Sequence, residues 1–222
     1  MRVVETKVYT FDELSDEAKE KARQWWRESE AESGDNFWSE CVTDEAVEQA
    51  KLMGIEIDRR EWTNSHGFKG SEPKIYWSGF CSQESGACFE GSWYASDVKP
   101  GKVADGWGED PATTEIKRIA AVFEEIAKEY PEAWFRVKQS GHYSHRFCTE
   151  FDVGFGDEQD EDENKEEVMS ALENVLIENA RDFMLWIYNQ LEREYDGRQE
   201  DEFIEEEIKA NSYEFEEDGS RA

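Results

Sequence analysis

The charge balance of this 222-residue chain limits what it can fold into more than any other feature does. It has 55 Asp and Glu residues against 25 Lys and Arg residues, which gives a formal net charge of −30 at neutral pH. Repulsion among like charges on that scale destabilises a compact state. Aromatic residues make up 14 % of the chain, and they supply the large apolar groups that disordered acidic segments lack. We therefore expect a folded protein with a substantial buried core.

The same negative charge limits which classes of molecule the chain can bind. Nucleic-acid binding depends on Lys and Arg side chains that release counterions from phosphates, and anionic membrane surfaces also attract basic segments. We therefore expect no direct contact with nucleic acid or with a membrane. No stretch approaches the roughly 20 apolar residues that span a bilayer, and residues 1–5 lack the apolar core of a signal peptide. Four scattered Cys residues indicate reduced thiols and a cytoplasmic location.

Hydrophobic periodicity predicts an α+β fold, in which an antiparallel β-sheet meander is covered by α-helices, and the whole chain 1–222 forms a single domain. An acidic link near 157–167 precedes the longest helix, and residues 200–222 are expected at the periphery. Strands are predicted at 3–10, 55–57, 75–77, 87–94, 134–139, 145–155 and 213–215. Helices are predicted from Ser15 to about residue 31 and at 37–53, 116–130, 168–191 and 200–209, with Gly197 ending the longest one.

Spacing within these segments predicts which helix residues face the core and which strand residues share a face. In the second helix the expected inward positions are Phe37, Cys41, Ala46, Ala50 and Met53. One face of the 145–155 strand is expected to carry Phe147, Thr149, Phe151 and Val153. The longest helix has a broad inward stripe composed of Val168, Leu172, Val175, Ile177, Asn179, Phe183, Trp186, Ile187 and Leu191.

The sequence contains no complete motif for metal binding or catalysis. An EF-hand loop starting at Asp160 would place Lys165 where the turn needs Gly and Ala171 where a bidentate carboxylate is needed. His142, His145 and Cys148 are three residues apart, and such positions point to opposite faces of a strand. Nucleophile elbows and phosphate-binding Gly loops are absent from the sequence. We therefore expect no metal, no cofactor and no catalytic residue.

The acidic residues are concentrated toward the C-terminus. Residues 151–222 contain 25 acidic and 6 basic residues, a net charge of −19. Carboxylates four residues apart on a helix lie on one face about 6 Å apart, and DNA carries about one charge per 1.7 Å of axis. Such a row could imitate phosphates and occupy a basic groove, or it could simply be the solvated face of a helix. The pairs with this spacing are Glu163 with Glu167, Asp201 with Glu205, and Glu202 with Glu206.

Two further features are candidates for binding. Trp107 lies in a Gly-rich loop between acidic residues, and we predict that it is an exposed anchor for a partner. The loop within 78–91 places Ser82, Gln83 and Ser85 beside aromatic residues. These polar groups are a candidate pocket, and they support an alternative function as a small-molecule-binding protein or an enzyme.

Three segments carry a resemblance to a known family. They are YTFDELSDEAKEKA at 9–22, IYWSGFCSQ at 75–83 with GACFEG at 86–91, and WIYNQLEREY at 186–195. The chain resembles bacteriophage proteins labelled "antitoxin of toxin–antitoxin stability system". That resemblance implies a phage accessory protein in the bacterial cytoplasm, with an inhibitory role. The acidity of the chain adds the expectation that the inhibited partner is a basic bacterial protein, such as a toxin or defence nuclease. A structural component of the phage particle is a further alternative.

Overall fold

The structure of the chain, a computed structural model, describes residues 7–33, 37–80, 85–156 and 163–222. The helices are α1 (Asp16–Ser33), α2 (Phe37–Leu52), α3 (Pro111–Glu129), α4 (Glu163–Gln199) and α5 (Asp201–Ala210). The strands are β1 (Tyr9–Thr10), β2 (Ile55–Ile57), β3 (Arg59–Thr63), β4 (Lys69–Pro73), β5 (Ile75–Ser78), β6 (Gly86–Phe89), β7 (Gly91–Tyr94), β8 (Trp134–Gln139), β9 (Thr149–Gly154) and β10 (Glu214–Phe215). Within these ranges, no helix is long and apolar enough to cross a membrane.

The predicted α+β class is confirmed, but the strands form several small antiparallel sheets rather than one meander. The largest sheet has the order β2-β7-β8-β9, and the other sheets pair β1 with β10, β3 with β4, and β5 with β6. The contacts divide the chain into two compact units. Unit 1 comprises Met1–Ser39 and Arg193–Ala222, and unit 2 comprises Glu40–Glu192. The single domain over 1–222 stays a prediction.

Unit 2 is built on the four-stranded sheet. Trp93, on the central strand β7, is fully buried, and its indole N–H donates to the carbonyl oxygen of Met53 at 2.8 Å. The Trp93 ring stacks on Phe135 of β8 and also contacts Phe123 of α3. Successive strand residues point to alternate faces, so Ser92 and Arg136 lie on the face opposite Trp93 and Phe135. On that face Arg136 bonds Ser92 and Asp58.

Three chain segments exchange strand partners at one junction in unit 2. The backbone N–H of Asp58 donates to the carbonyl oxygen of Glu90, that of Glu90 donates to Lys74, and that of Lys74 donates to Asp58. This cycle of hydrogen bonds separates β2 from β3, β4 from β5 and β6 from β7. Each long segment therefore bends and pairs with a different neighbour on either side of the junction, which is why one continuous sheet does not form.

Unit 1 has its own apolar cluster. Its buried residues come from both ends of the chain: Phe11, Leu14, Ala18, Ala22 and Trp26 from the N-terminal part, and Ile204, Ile208 and Phe215 from the C-terminal part. The expected cap at Ser15 is present, since its hydroxyl accepts a hydrogen bond from the backbone N–H of Ala18 at 3.3 Å.

Several sequence predictions of inward-facing residues are wrong. Phe37 is 67 % exposed and Cys41 is exposed, whereas Ala46, Ala50 and Met53 on the same helix are buried as expected. The turn after Leu52 is made by Gly54, whose positive φ of 82° suits glycine. Phe147, predicted to share a strand face with Thr149, Phe151 and Val153, lies before β9, which begins at Thr149, and is 57 % exposed.

The bounds of the long helix also differ from the prediction. α4 begins at Glu163, inside the expected acidic link, and continues through Gly197 to Gln199. Residues 157–162 of that link, and residues 3–6 of the first predicted strand, lie outside the described residues. Val168 and Val175, both expected on the inward stripe, are 52 % and 48 % exposed. The predicted stripe is therefore buried only in its later part.

Candidate partner-binding surface

The rotation of α5 about its axis is set by two buried residues. Ile204 and Ile208 are four residues apart, so they lie on one face, and both are fully buried in the apolar cluster of unit 1. Because that face is fixed, the acidic residues of α5 are distributed over its remaining sides. The sides differ in what they contact.

Asp201 and Glu205 lie on the side that meets α1. Arg27 donates to Asp201, and Arg23 approaches Asp201 at 3.4 Å and Glu205 at 2.8 Å. Only 15 % of the Arg23 side chain is exposed, so its charge is removed from most of the solvent. These two carboxylates therefore already have cationic partners within unit 1. A basic protein would have to compete with Arg23 and Arg27 for them.

Glu202 and Glu206 lie on another side of α5. Both are exposed, and neither forms an ion pair with any residue in the described part of the chain. Their spacing of four residues places them on one face, about 6 Å apart along the axis. Of the sequence-predicted pairs on α5, this is the one that the structure leaves available to an outside cation.

The remaining predicted partner residues are in unit 2. Glu167 is exposed on α4, and Glu163 is the first residue of that helix, with a side chain outside the described atoms. Trp107 is half-buried, and its ring stacks on Trp186 at a centroid distance of 6.3 Å with an interplanar angle of 23°. Trp107 is thus partly engaged by its own chain, and only the remaining ring surface can contact a partner.

The candidate pocket in the 78–91 loop is described only at its ends. Ser82 and Gln83 lie outside the described residues, and Ser85 is half-buried. Next to the loop, Phe80 stacks on Trp77 at 5.7 Å and contacts the ring of Tyr188 at 5.6 Å. The Tyr188 hydroxyl also donates to the carbonyl oxygen of Gly79 at 3.3 Å. The aromatic residues beside the loop therefore pack on one another and on α4.

Two groups near this loop have shifted pKa values. Burial, with a smaller contribution from Cys148, raises the pKa of the Cys88 thiol to about 12. Burial, followed by the neighbouring charge of Arg146, lowers the pKa of His145. The Nδ1 atom of His145 accepts a hydrogen bond from the backbone N–H of Phe147 at 3.2 Å, which requires that nitrogen to be unprotonated. Both shifts favour the neutral form.

Among the side chains that the structure describes, no three His, Cys, Asp or Glu residues are grouped so as to hold a metal ion. The catalytic and cofactor expectations made from the sequence stay predictions.

A groove between α3 and α4 was not predicted from the sequence. It is lined by Arg118, Val122, Asn174, Val175, Glu178, Asn179 and Asp182. In the sequence, the residues that indicate this groove are Val168, Leu172 and Val175. Their spacing predicts one apolar helix face, which was expected to be buried in the core. Val122 is an apolar residue of α3 that lies off the buried positions Ile119 and Phe123 of that helix.

Most of the chain matches one known protein family. Residues 38–201 match the family described as a domain of unknown function, DUF8835. The chain belongs to the DUF8835 family. Neither the curated proteins nor the solved structures contain a match to it. The part matched to DUF8835 includes α3, nearly all of α2 and all of α4, and it ends at Asp201, before Glu202 and Glu206.

Proposed function

We propose that this DUF8835 protein is a non-enzymatic inhibitor that binds a basic, nucleic-acid-interacting bacterial protein and occupies its phosphate-binding surface. Toxins and anti-phage defence nucleases are proteins of this kind. The resemblance to phage antitoxin-labelled proteins supports the setting, which would be the cytoplasm of an infected bacterium. The charge of −30 supports a cationic partner, because opposite potentials steer association.

One observation carries the proposal. Glu202 and Glu206 are exposed and lack ion pairs with described residues, while the neighbouring Asp201 and Glu205 are bonded to Arg23 and Arg27. The arginine contacts hold α5 against α1, so Glu202 and Glu206 are presented on a fixed helix. Carboxylates on a fixed helix lose less conformational freedom when a partner binds than carboxylates on a mobile segment.

The test is capture at low salt from a bacterial lysate, with elution by a salt gradient. The immobilised chain should retain a basic protein that elutes at moderate salt, because exposed charges more than about 8 Å apart are screened at physiological ionic strength. The double variant Glu202→Gln/Glu206→Gln should retain at least about tenfold less of that protein, a loss of about 1.4 kcal/mol.

Glu40→Gln/Asp44→Asn is the matched control. These two acidic residues are also exposed and four residues apart, on α2, and they too lack an ion pair with a described residue. The control removes the same charge from another surface, so it should reduce capture little. Equal losses in both variants would mean that only total charge matters, and retention that is unchanged at high salt would contradict the proposal.

A further inference from the structure

The groove between α3 and α4 has an apolar floor. Its volume is about 340 Å³, and Val122 of α3 and Val175 of α4 both line it. The apolar surface continues along α4, because Val168, Leu172 and Val175 follow one another at intervals of four and three residues and so share a face. Val168 and Val175 are each about half exposed, and Leu172 is half-buried.

A buried polar atom lies beside this floor. Asn179 lines the groove and is only 4 % exposed. Its side-chain amide donates to the carbonyl oxygen of Ile119 at 2.9 Å, but its Oδ1 atom has no partner among the described atoms. Asn179 therefore ties α4 to α3 and supplies a polar side chain at the edge of the groove floor.

The charged groups around the groove leave it with an anionic rim. The guanidinium of Arg118, the cation among the lining residues, is held by Glu115 at 2.7 Å and by Asp182 at 2.6 Å. Glu125 and Glu129 of α3 lie three and seven residues after Val122, so they extend along the same face. Both are exposed, as is Glu167 on α4, and within the described ranges none of the three forms an ion pair.

We propose that this groove binds an amphipathic helix of the partner protein, with apolar residues on one face and Lys or Arg on its flanks. Apolar anchors at helical spacing would cover the exposed valines, and the basic flanks would meet Glu125, Glu129 and Glu167. This inference rests on the proposed function, because it names the element through which the basic partner docks. The groove that would receive this helix lies within the part of the chain matched to DUF8835.

Two synthetic helical peptides of about 18 residues, long enough to form a helix on a surface, are the probes. They share a Leu face, and one carries Lys flanks whereas its twin carries Glu flanks. The Lys peptide should bind the full-length chain, and the Glu twin should bind at least about tenfold more weakly because of the anionic rim. Fluorescence anisotropy of labelled peptide measures both affinities.

The variant Val168→Ser/Val175→Ser separates docking from general charge attraction, because it leaves every charge in place. It should weaken binding of the Lys peptide about tenfold, whereas Val8→Ser, which changes an exposed valine of unit 1, should not. Since both groove valines are about half exposed, the variant should keep the wild-type circular dichroism spectrum. Glu125→Gln/Glu129→Gln should weaken the Lys peptide more than Glu40→Gln/Asp44→Asn does.

Three results would overturn the inference. They are unchanged Lys-peptide affinity in the valine variant, equal binding of the Glu twin, or a wild-type dimer that the valine variant converts to monomer, which would make a second copy the occupant. If peptide binding is unaffected by the valine changes while Glu202→Gln/Glu206→Gln still reduces lysate capture at least about tenfold, only the groove assignment fails. If no basic protein is captured at all, the proposed function fails instead.

Discussion

At the scale of single residues, burial decides what each cysteine can do. Cys88 is fully buried, and its raised pKa of about 12 means that its thiolate is scarce at pH 8. Cys41 is exposed on α2. We predict that iodoacetamide at pH 8 modifies Cys41 at least about tenfold faster than Cys88, because alkylation requires both access and thiolate. Peptide mass spectrometry gives the two rates.

Denatured protein is the control for that prediction, since both thiols should then react at similar rates. Comparable labelling of Cys88 and Cys41 in the folded chain would show that β6 is not buried as described. The sequence alone could not separate these two thiols. Helical spacing favoured an inward Cys41, but Val42, Ala46 and Val47 supply the buried side of α2 instead.

At the scale of elements, the contact between α1 and α5 depends on arginines as well as on apolar packing. Arg23 bonds Glu20 and Glu205 and lies 3.4 Å from Asp201, with its side chain largely buried. Among the described residues, removing Arg23 would leave Glu205 with Lys209 alone, at 3.8 Å, and would leave Asp201 and Glu20 to share Arg27. We predict that Arg23→Gln lowers the free energy of unfolding by about 1.5–3 kcal/mol, the range for hydrogen bonds to charged groups.

Urea denaturation followed by circular dichroism measures this change. Lys51→Gln is the control, because Lys51 forms an exposed pair with Glu48 and such pairs contribute about 0–1 kcal/mol. Added salt should reduce the loss in Arg23→Gln by screening the three carboxylates. If Arg23→Gln and Lys51→Gln have the same effect, the arginine contacts do not hold α5 in place.

Local signals predicted the elements better than they predicted pairing. The Ser15 cap, the α2 bounds and the α5 helix follow from capping residues and 3.6-residue periodicity, and the structure has them. The start of α3 was predicted too late, although Asp110 caps Thr113 and Pro111 occupies the first turn. The β3–β4 hairpin was missed because β3 is exposed throughout and so has no apolar alternation.

The junction of Asp58, Lys74 and Glu90 could not have been predicted from the sequence. Its hydrogen bonds join backbone atoms of residues 16 to 32 positions apart, and no side-chain pattern specifies them. The candidate surface shows the same limit. Spacing placed Glu202 with Glu206 and Asp201 with Glu205 equally well, and only the position of α1 distinguishes the paired carboxylates from the free ones.

At the scale of the whole molecule, the two surfaces proposed to contact a partner lie in different units. The exposed carboxylates of α5 lie in unit 1, whereas the α3–α4 groove lies in unit 2 and within the DUF8835 match. Of the two proposed contacts, the groove lies within the residues matched to the family, and Glu202 and Glu206 lie outside them.

The most direct measurement of the central claim is displacement of DNA from the captured basic protein. A fluorescent DNA duplex bound to that protein should be released as the full-length chain is titrated in at low salt, with anisotropy falling to the value of free DNA. Glu202→Gln/Glu206→Gln should need at least about tenfold more protein for the same release. If the DNA stays bound while the chain also binds, the two ligands use different surfaces, and inhibition through an acidic surface is contradicted.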